Sequence, residues 1–304
     1  MQIQDSKRYL YVWSASELVR RKYIQVVSAI LYNANFKGFI SGTIYKGDIK
    51  SICAPGLNCY SCPGAVAACP LGSLQAALGE VKYKLPFYIA GTLLLFGVLL
   101  GRGVCAFLCP FGLIQELLYK IPTPKLHKSK ATQHASMGKY VILAVFVIFL
   151  PLFFLVRDGV SVPAFCKFIC PVGTLEAGIP LVLANERLRA FTGGLFGWKV
   201  IVLAGVIISS VFIYRIFCRF LCPLGAIYSL FNRWALFGIT VNEVNCTRCN
   251  ACVNSCKLDT RKINDRECIR CGECHSRCKN NAIIIQERQK GYARTKKARV
   301  KNAR

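Results

Sequence analysis

Residues 105–112 read Cys-Ala-Phe-Leu-Cys-Pro-Phe-Gly, and this stretch decides the reading of the chain. Its spacing returns at Cys166-x3-Cys170-Pro171-Val172-Gly173 and at Cys218-x3-Cys222-Pro223-Leu224-Gly225. A fourth copy, Cys69-Pro70-Leu71-Gly72, is preceded instead by Cys53, Cys59 and Cys62. Each copy follows a hydrophobic segment and leads into a short helix-like stretch, such as Leu113–Tyr119 or Ala226–Trp234. Apolar helix, cysteine turn, short helix is therefore an internal repeat. Proline pushes the preceding cysteine out of helical geometry and suits the first position of the next helix. That helix then points its N–H groups and positive dipole end at anything the thiolates hold. Glycine permits close backbone approach.

Further along, Cys246-x2-Cys249-x2-Cys252-x3-Cys256 is followed by Cys268-x2-Cys271-x2-Cys274-x3-Cys278. This is the ligand pattern of a bacterial two-cluster ferredoxin, in which the fourth cysteine of each run serves the other cluster. On that pattern Cys246, Cys249, Cys252 and Cys278 hold one [4Fe–4S] cluster, and Cys268, Cys271, Cys274 and Cys256 hold the other. Lys257 and Lys279 stand where proline commonly follows the fourth cysteine, and they bring positive charge towards each cluster. Zinc would be satisfied by Cys-x2-Cys pairs, but the triple repeat is less natural for it. Cys271-Gly272-Glu273-Cys274-His275 also spells a c-type haem attachment string, yet both cysteines are needed in the ferredoxin run. His275, like His127 and His134, reads as a surface residue.

Composition bounds the rest. The chain has 304 residues, 54% of them hydrophobic and only 18% charged, against roughly 25% charged in typical soluble domains. A positive mean hydropathy agrees with an integral membrane protein. In a short secreted chain 18 cysteines would mean a disulfide framework. Here the spacings favour clusters, and Met1–Arg20 has no apolar core of a signal peptide. Three charge-free runs stand out: Leu85–Gly101, Tyr140–Val156 and Val200–Tyr214, the last extended by Leu195–Trp198 across Lys199. Tyr23–Phe36 with Gly38–Tyr45, interrupted by Lys37, is a weaker fourth. A span takes about 20 mostly apolar residues, so these lie near the lower limit.

The net charge of +26 fits either nucleic-acid binding or the positive-inside bias of a membrane protein. With a cytoplasmic N-terminus and four spans, 30 basic residues fall on one side and nine on the other. The tail Arg288–Arg304 has eight basic residues and no acid. It reads as a solvated tail near anionic lipid heads, and nothing else supports nucleic acid. This topology gathers Cys105, Cys109, Cys218 and Cys222 on the cytoplasmic side, enough for one cluster. Cys53, Cys59, Cys62, Cys69, Cys166 and Cys170 gather on the other side, enough for one cluster with two spare. The expected outer ligands are Cys59, Cys62, Cys166 and Cys170, with Cys53 and Cys69 as alternatives. Cys69 is the repeat equivalent of Cys109.

Cys-x3-Cys-Pro on membrane helices followed by a two-cluster ferredoxin resembles the NapH/NosR type of membrane iron–sulfur proteins. The resemblance is most specific over Cys105–Gly112, Cys218–Gly225 and Cys246–Cys278. Family members typically carry two Cys-x3-Cys-Pro motifs, whereas this chain carries three, plus Cys53–Cys69. The resemblance implies a polyferredoxin-like electron-transfer protein, and the extra motifs fit a second membrane cluster.

The expected fold is an α-helical membrane domain over residues 1–238, with about four transmembrane helices and re-entrant Cys-Pro-x-Gly turns. A small α+β two-cluster ferredoxin domain over 239–287 and the basic tail 288–304 follow. The expected function is electron transfer between a cytoplasmic donor or acceptor and a membrane or extracytoplasmic flavo- or haem-protein or quinone. About four [4Fe–4S] clusters carry it, within a larger complex at a prokaryotic inner membrane, both termini cytoplasmic. The alternatives are a quinol-oxidising subunit that feeds a partner reductase, and a non-enzymatic redox accessory or regulatory protein. The chain has no P-loop, nucleotide fingerprint, flavin motif or Ser-His-Asp set to make it an enzyme on its own.

Overall fold

The computed structural model describes residues 15–79, 87–126 and 129–287. The N-terminal residues 1–14, His127 and the basic tail 288–304 lie outside the described residues. The principal helices are α1 (Ala15–Tyr32), α2 (Pro70–Gly79), α3 (Phe87–Leu100) and α4 (Pro110–Leu118). They continue with α5 (Lys130–Asp158), α6 (Pro171–Ala184), α7 (Gly194–Phe212) and α8 (Pro223–Phe231). Among the described residues two helices, α5 with 29 residues and α7 with 19, are long and apolar enough to cross a membrane. α3 has 14 residues and falls short of that length. The weak fourth run is not one continuous helix: α1 ends at Tyr32, and a separate short turn of helix occupies Lys37–Ser41. Mostly helical architecture with a ferredoxin-type segment therefore holds, while helix length identifies two candidate spans.

Proline shapes the helices that carry the repeat. Cys109, Cys170 and Cys222 all adopt extended backbone, with ψ of 113°, 110° and 111°, and proline opens the next helix. This is the geometry that the Cys-Pro step imposes. Three π-helical stretches, Leu143–Phe149, Thr174–Gly178 and Phe217–Leu221, end two residues ahead of Pro151, Pro180 and Pro223. A proline ring clashes with the carbonyl four residues earlier, and a π turn opens the helix there.

The polypeptide between β1 (Phe237–Val241) and β2 (Ile283–Glu287) forms the ferredoxin-type segment. The strands pair antiparallel, with Ile239 opposite Ile285 and Val241 opposite Ile283. Buried ion pairs and side-chain amides fasten this segment to the helices. Glu267 accepts from Arg102 at 2.6 Å and from Lys139 at 2.5 Å, and Arg219 pairs with Asp259. Asn232, at the end of α8, donates to the carbonyls of Asp265 and Cys268, both at 2.8 Å. Arg270 reaches back to the carbonyls of Leu100 at 3.0 Å and Asn232 at 2.6 Å. Removing one partner of such a buried pair would leave the other charge uncompensated.

Candidate iron–sulfur sites

The two halves of the ferredoxin segment repeat each other in backbone as well as in sequence. Arg248 and Arg270 hold φ of 57°, and Asn250 and Gly272 hold φ of 56° and 81°. Left-handed residues within such a turn help aim successive N–H groups into a concave nest suited to anions. Cys246, Cys249, Cys252 and Cys278 line one cavity. Cys256, Cys268, Cys271 and Cys274 line a second, with Cys252 at its edge. Burial, with Glu273 adding to it, pushes the Cys271 thiol up to about 12. A lone thiolate there would be costly, and bound iron would supply the compensating charge. His275 is a correction to the sequence reading: it is buried, and its Nδ1 has no partner among the described residues.

The repeat cysteines form two further groups. Cys109 and Cys222 both lie within electrostatic range of Cys105 and Cys218. On the other side, Cys59, Cys69, Cys166 and Cys170 line one cavity of about 670 Å³. Cys62 and Cys53 do not line it. The Cys62 thiol instead faces Asn33 Oδ1 at 3.5 Å, and Cys53 interacts with Ser73. So the structure brings Cys69 to the outer group in the place where Cys62 was expected.

The Cys-Pro-x-Gly turn acts as its chemistry foretells. In all four copies the glycine N–H points at the copy's own cysteine sulfur, as between Gly225 and Cys222 at 3.3 Å. A Cβ on Gly173 would sit 3.6 Å from Cys59 Sγ, and one on Gly72 would sit 3.9 Å from Cys166 Sγ. The glycines thus leave open the space that a cluster's edge would take.

Polar residues in these helices were not singled out from the sequence. The sixth residue after each Cys-Pro cysteine is Gln75, Gln115, Glu176 and Tyr228 in the four copies. Gln75 Nε2 donates to Cys166 Sγ at 3.4 Å and Gln115 Nε2 to Cys218 Sγ at 3.3 Å. Glu176 accepts the Cys59 N–H at 2.8 Å, and Tyr228 donates to Pro55 O at 2.8 Å. Aligning the copies past their glycines would have exposed this polar position among apolar neighbours.

The groups are linked. Cys274 lies within electrostatic range of Cys252, which joins the two ferredoxin sites. Tyr214 lines the second ferredoxin cavity and donates to Glu116 at 2.6 Å. Glu116 pairs with Arg21 at 3.0 Å and with Arg215 at 2.8 Å. Arg215 then donates to the Cys105 carbonyl at 2.5 Å. Burial pushes the Glu116 carboxyl up, but Arg215 and Arg21 outweigh it and hold the group at about 2. Past the inner group, Tyr228 is within range of Cys105 and Cys109 on one side and Cys69 on the other.

The donor set fits iron–sulfur clusters. None of the 18 cysteines is paired in a disulfide. Among the described residues no three Cys, His, Asp or Glu side chains converge as a single metal ion would require. Four thiols lining one cavity, as in three of the groups, suit a thiolate-ligated cluster.

Comparison with known proteins agrees. The 4Fe-4S binding domain family matches residues 85–129, 140–180 and 195–241, one Cys-x3-Cys-Pro copy in each. An uncharacterised protein of Methanocaldococcus jannaschii is 31% identical over 192 residues, 62% of this chain and 70% of that protein. The regulatory protein NosR of Pseudomonas aeruginosa is 29% identical over 56% of this chain and 22% of its own length. The methylamine utilization ferredoxin-type protein MauN of Paracoccus denitrificans is 26% identical over 60% of this chain and 58% of its own. The chain thus spans under two thirds of the length of these last two relatives. No solved structure matches. With its repeated cysteine turns and its ferredoxin pattern, the chain belongs to the NapH/NosR-type family of 4Fe-4S electron-transfer proteins.

Proposed function

We propose that this chain conducts electrons across a membrane through four [4Fe–4S] clusters. The observation that supports the reading is that the cysteines gather in four neighbouring groups, with buried side chains between them. The first ligand set is Cys246, Cys249, Cys252 and Cys278, and the second is Cys256, Cys268, Cys271 and Cys274. The third is Cys105, Cys109, Cys218 and Cys222, and the fourth is Cys59, Cys69, Cys166 and Cys170. Tyr214 and Arg215 stand between the second and third sets, and Tyr228 between the third and fourth. When bound, the clusters take up and release single electrons. The protein's part is to hold them in sequence, to bury them, and to fill the gaps with packed side chains.

A membrane setting is supported by α5 and α7, whose apolar side chains turn outward. Ile201, Ile208, Val141 and Phe149 are all more than half exposed. Patches of this kind mark a membrane or an interaction surface, and the helix lengths favour the membrane. The first set is the terminal for a water-soluble partner. Cys249 is exposed, and Arg248, Arg261, Lys262, Arg277 and Lys279 line the cavity with no acidic residue among them. A basic rim of this kind steers an acidic one-electron carrier towards it.

A second reading is quinol oxidation at the fourth set. Its cavity is lined by Leu57, Ala76, Ala77 and Leu181 beside the cysteines, an apolar composition typical of sites for small ring compounds.

Iron and acid-labile sulfide on anaerobically purified chain test the ligand assignment. About sixteen irons are expected, and about eight would leave the repeat cysteines without clusters. Vesicles carrying the protein and a trapped impermeant dye then test conduction. Reduction of the dye by external dithionite is expected. Reduction of a bilayer quinone while the dye stays oxidised selects the second reading.

A further inference from the structure

We infer that Gln75 and Gln115 are matched positioning residues that set the reduction potentials of the fourth and third clusters. The inference rests on the ligand sets proposed above, and it concerns residues outside them. Both glutamines are fully buried, at 0% and 1% exposure. Each uses its amide in the same three ways. One hydrogen of Gln75 Nε2 goes to Leu71 O at 3.4 Å and the other to Cys166 Sγ at 3.4 Å. Its Oε1 accepts from the N–H of Phe165 at 3.1 Å. Gln115 repeats the set, with Phe111 O at 3.3 Å, Cys218 Sγ at 3.3 Å and the Phe217 N–H at 3.0 Å.

This network dictates the orientation of each amide. A flipped amide would aim Oε1 at a carbonyl and a sulfur, and Nε2 at an N–H. The amide hydrogens must therefore face the sulfur. The geometry also reaches across the repeat. Each glutamine lies in the helix after one Cys-Pro copy, yet it serves the leading cysteine of the partner copy. Gln75 follows Cys69 and serves Cys166; Gln115 follows Cys109 and serves Cys218. The same side chain ties the two halves of a ligand set together and places one N–H on a ligand sulfur.

An N–H donated to a thiolate is worth more in the reduced state, where the cluster and its sulfurs carry more negative charge. Hydrogen bonds to the sulfurs are among the determinants of cluster potential. Each amide therefore raises the potential of its own cluster. The other two copies lack this donor. Glu176 presents its carboxylate oxygen to a backbone N–H, and Tyr228 presents its hydroxyl to a carbonyl. Each membrane site thus has one sulfur-directed side-chain amide.

The test is an EPR-monitored redox titration of the full chain, with iron counted in parallel. Gln75→Glu keeps an acceptor for Phe165 and removes the amide donor; Gln75→Met removes both. The same two substitutions are made at Gln115. Expected is a fall in the potential of one cluster in each Gln75 variant and of a different one in each Gln115 variant. The expected fall is at least tenfold in the reduced-to-oxidised ratio at fixed potential, about 59 mV for one electron. Unmoved potentials with full iron, or equal shifts at several clusters, overturn the inference. Loss of four irons from both variants at a position also overturns it, since the glutamine would then be a structural tether. A wild-type chain with only about eight irons is a different failure: it removes the ligand sets themselves.

Discussion

The hydroxyl of Tyr228 donates to the carbonyl of Pro55 at 2.8 Å, joining α8 to the loop that carries Cys59. These residues are 173 positions apart, and Tyr228 is fully buried. Leu57, two residues on, donates its N–H to Cys109 and also lines the outer cavity. The group of Cys105, Cys109, Cys218 and Cys222 and the group of Cys59, Cys69, Cys166 and Cys170 are therefore neighbours through one loop and one ring.

Tyr228→Phe keeps the ring and leaves the Pro55 carbonyl without its donor. An unsatisfied buried acceptor costs about 1–3 kcal/mol, so a lowered melting temperature with unchanged iron content is expected. Tyr228→Ala removes the ring as well and is expected to cost about 3–5 kcal/mol. Equal melting temperatures for wild type and the phenylalanine variant would mean that the bond contributes nothing.

The proposed fourth ligand set divides Cys53, Cys59, Cys62, Cys69, Cys166 and Cys170 sharply. Cys69→Ala is expected to lose about four irons per chain, while Cys62→Ala and Cys53→Ala keep the full complement. Iron analysis on the three purified variants decides it. The opposite result, with Cys62 required and Cys69 dispensable, would return the site to the spacing-based expectation.

Glu116 holds Arg21 and Arg215 in a buried position. Glu116→Gln leaves two guanidiniums without a countercharge, and a cost of about 3–5 kcal/mol is expected. The pH dependence follows from the sign of the shift. The folded carboxyl, at about 2, lies below its ordinary value of 4.5. Its contribution is complete above that ordinary value and is lost as pH falls through 2. The stability gap between wild type and variant is therefore expected to stay constant from about pH 5 to 8. Denaturant titrations at three pH values measure it, and a gap that narrows towards pH 5 counts against the assignment.

Several features were legible because chemistry ties them to local sequence. Proline dictates the extended cysteine before it, so the turns at Cys109, Cys170 and Cys222 follow from two adjacent residues. The gathering of Cys246, Cys249 and Cys252 around one cavity also follows from spacing, because three thiols two residues apart wrap one face of a cuboid. The burial of His275 was not legible. It depends on what packs over the Cys274 turn, and a five-residue string does not say.

The sequence by itself determined the four-copy repeat, the extended cysteine at the head of its Cys-Pro turns and the two evenly spaced cysteine runs of the C-terminal segment. Each depends on short covalent spacings that few backbone geometries can satisfy. Only the tertiary structure placed Cys69 rather than Cys62 in the cavity with Cys59, Cys166 and Cys170, because both are near in sequence and the position depends on which thiol the partner turn meets. It also revealed the amides of Gln75 and Gln115 facing sulfurs 91 and 103 residues away. Such a contact requires two helices from separate repeats to pack together, and no local pattern encodes that distance.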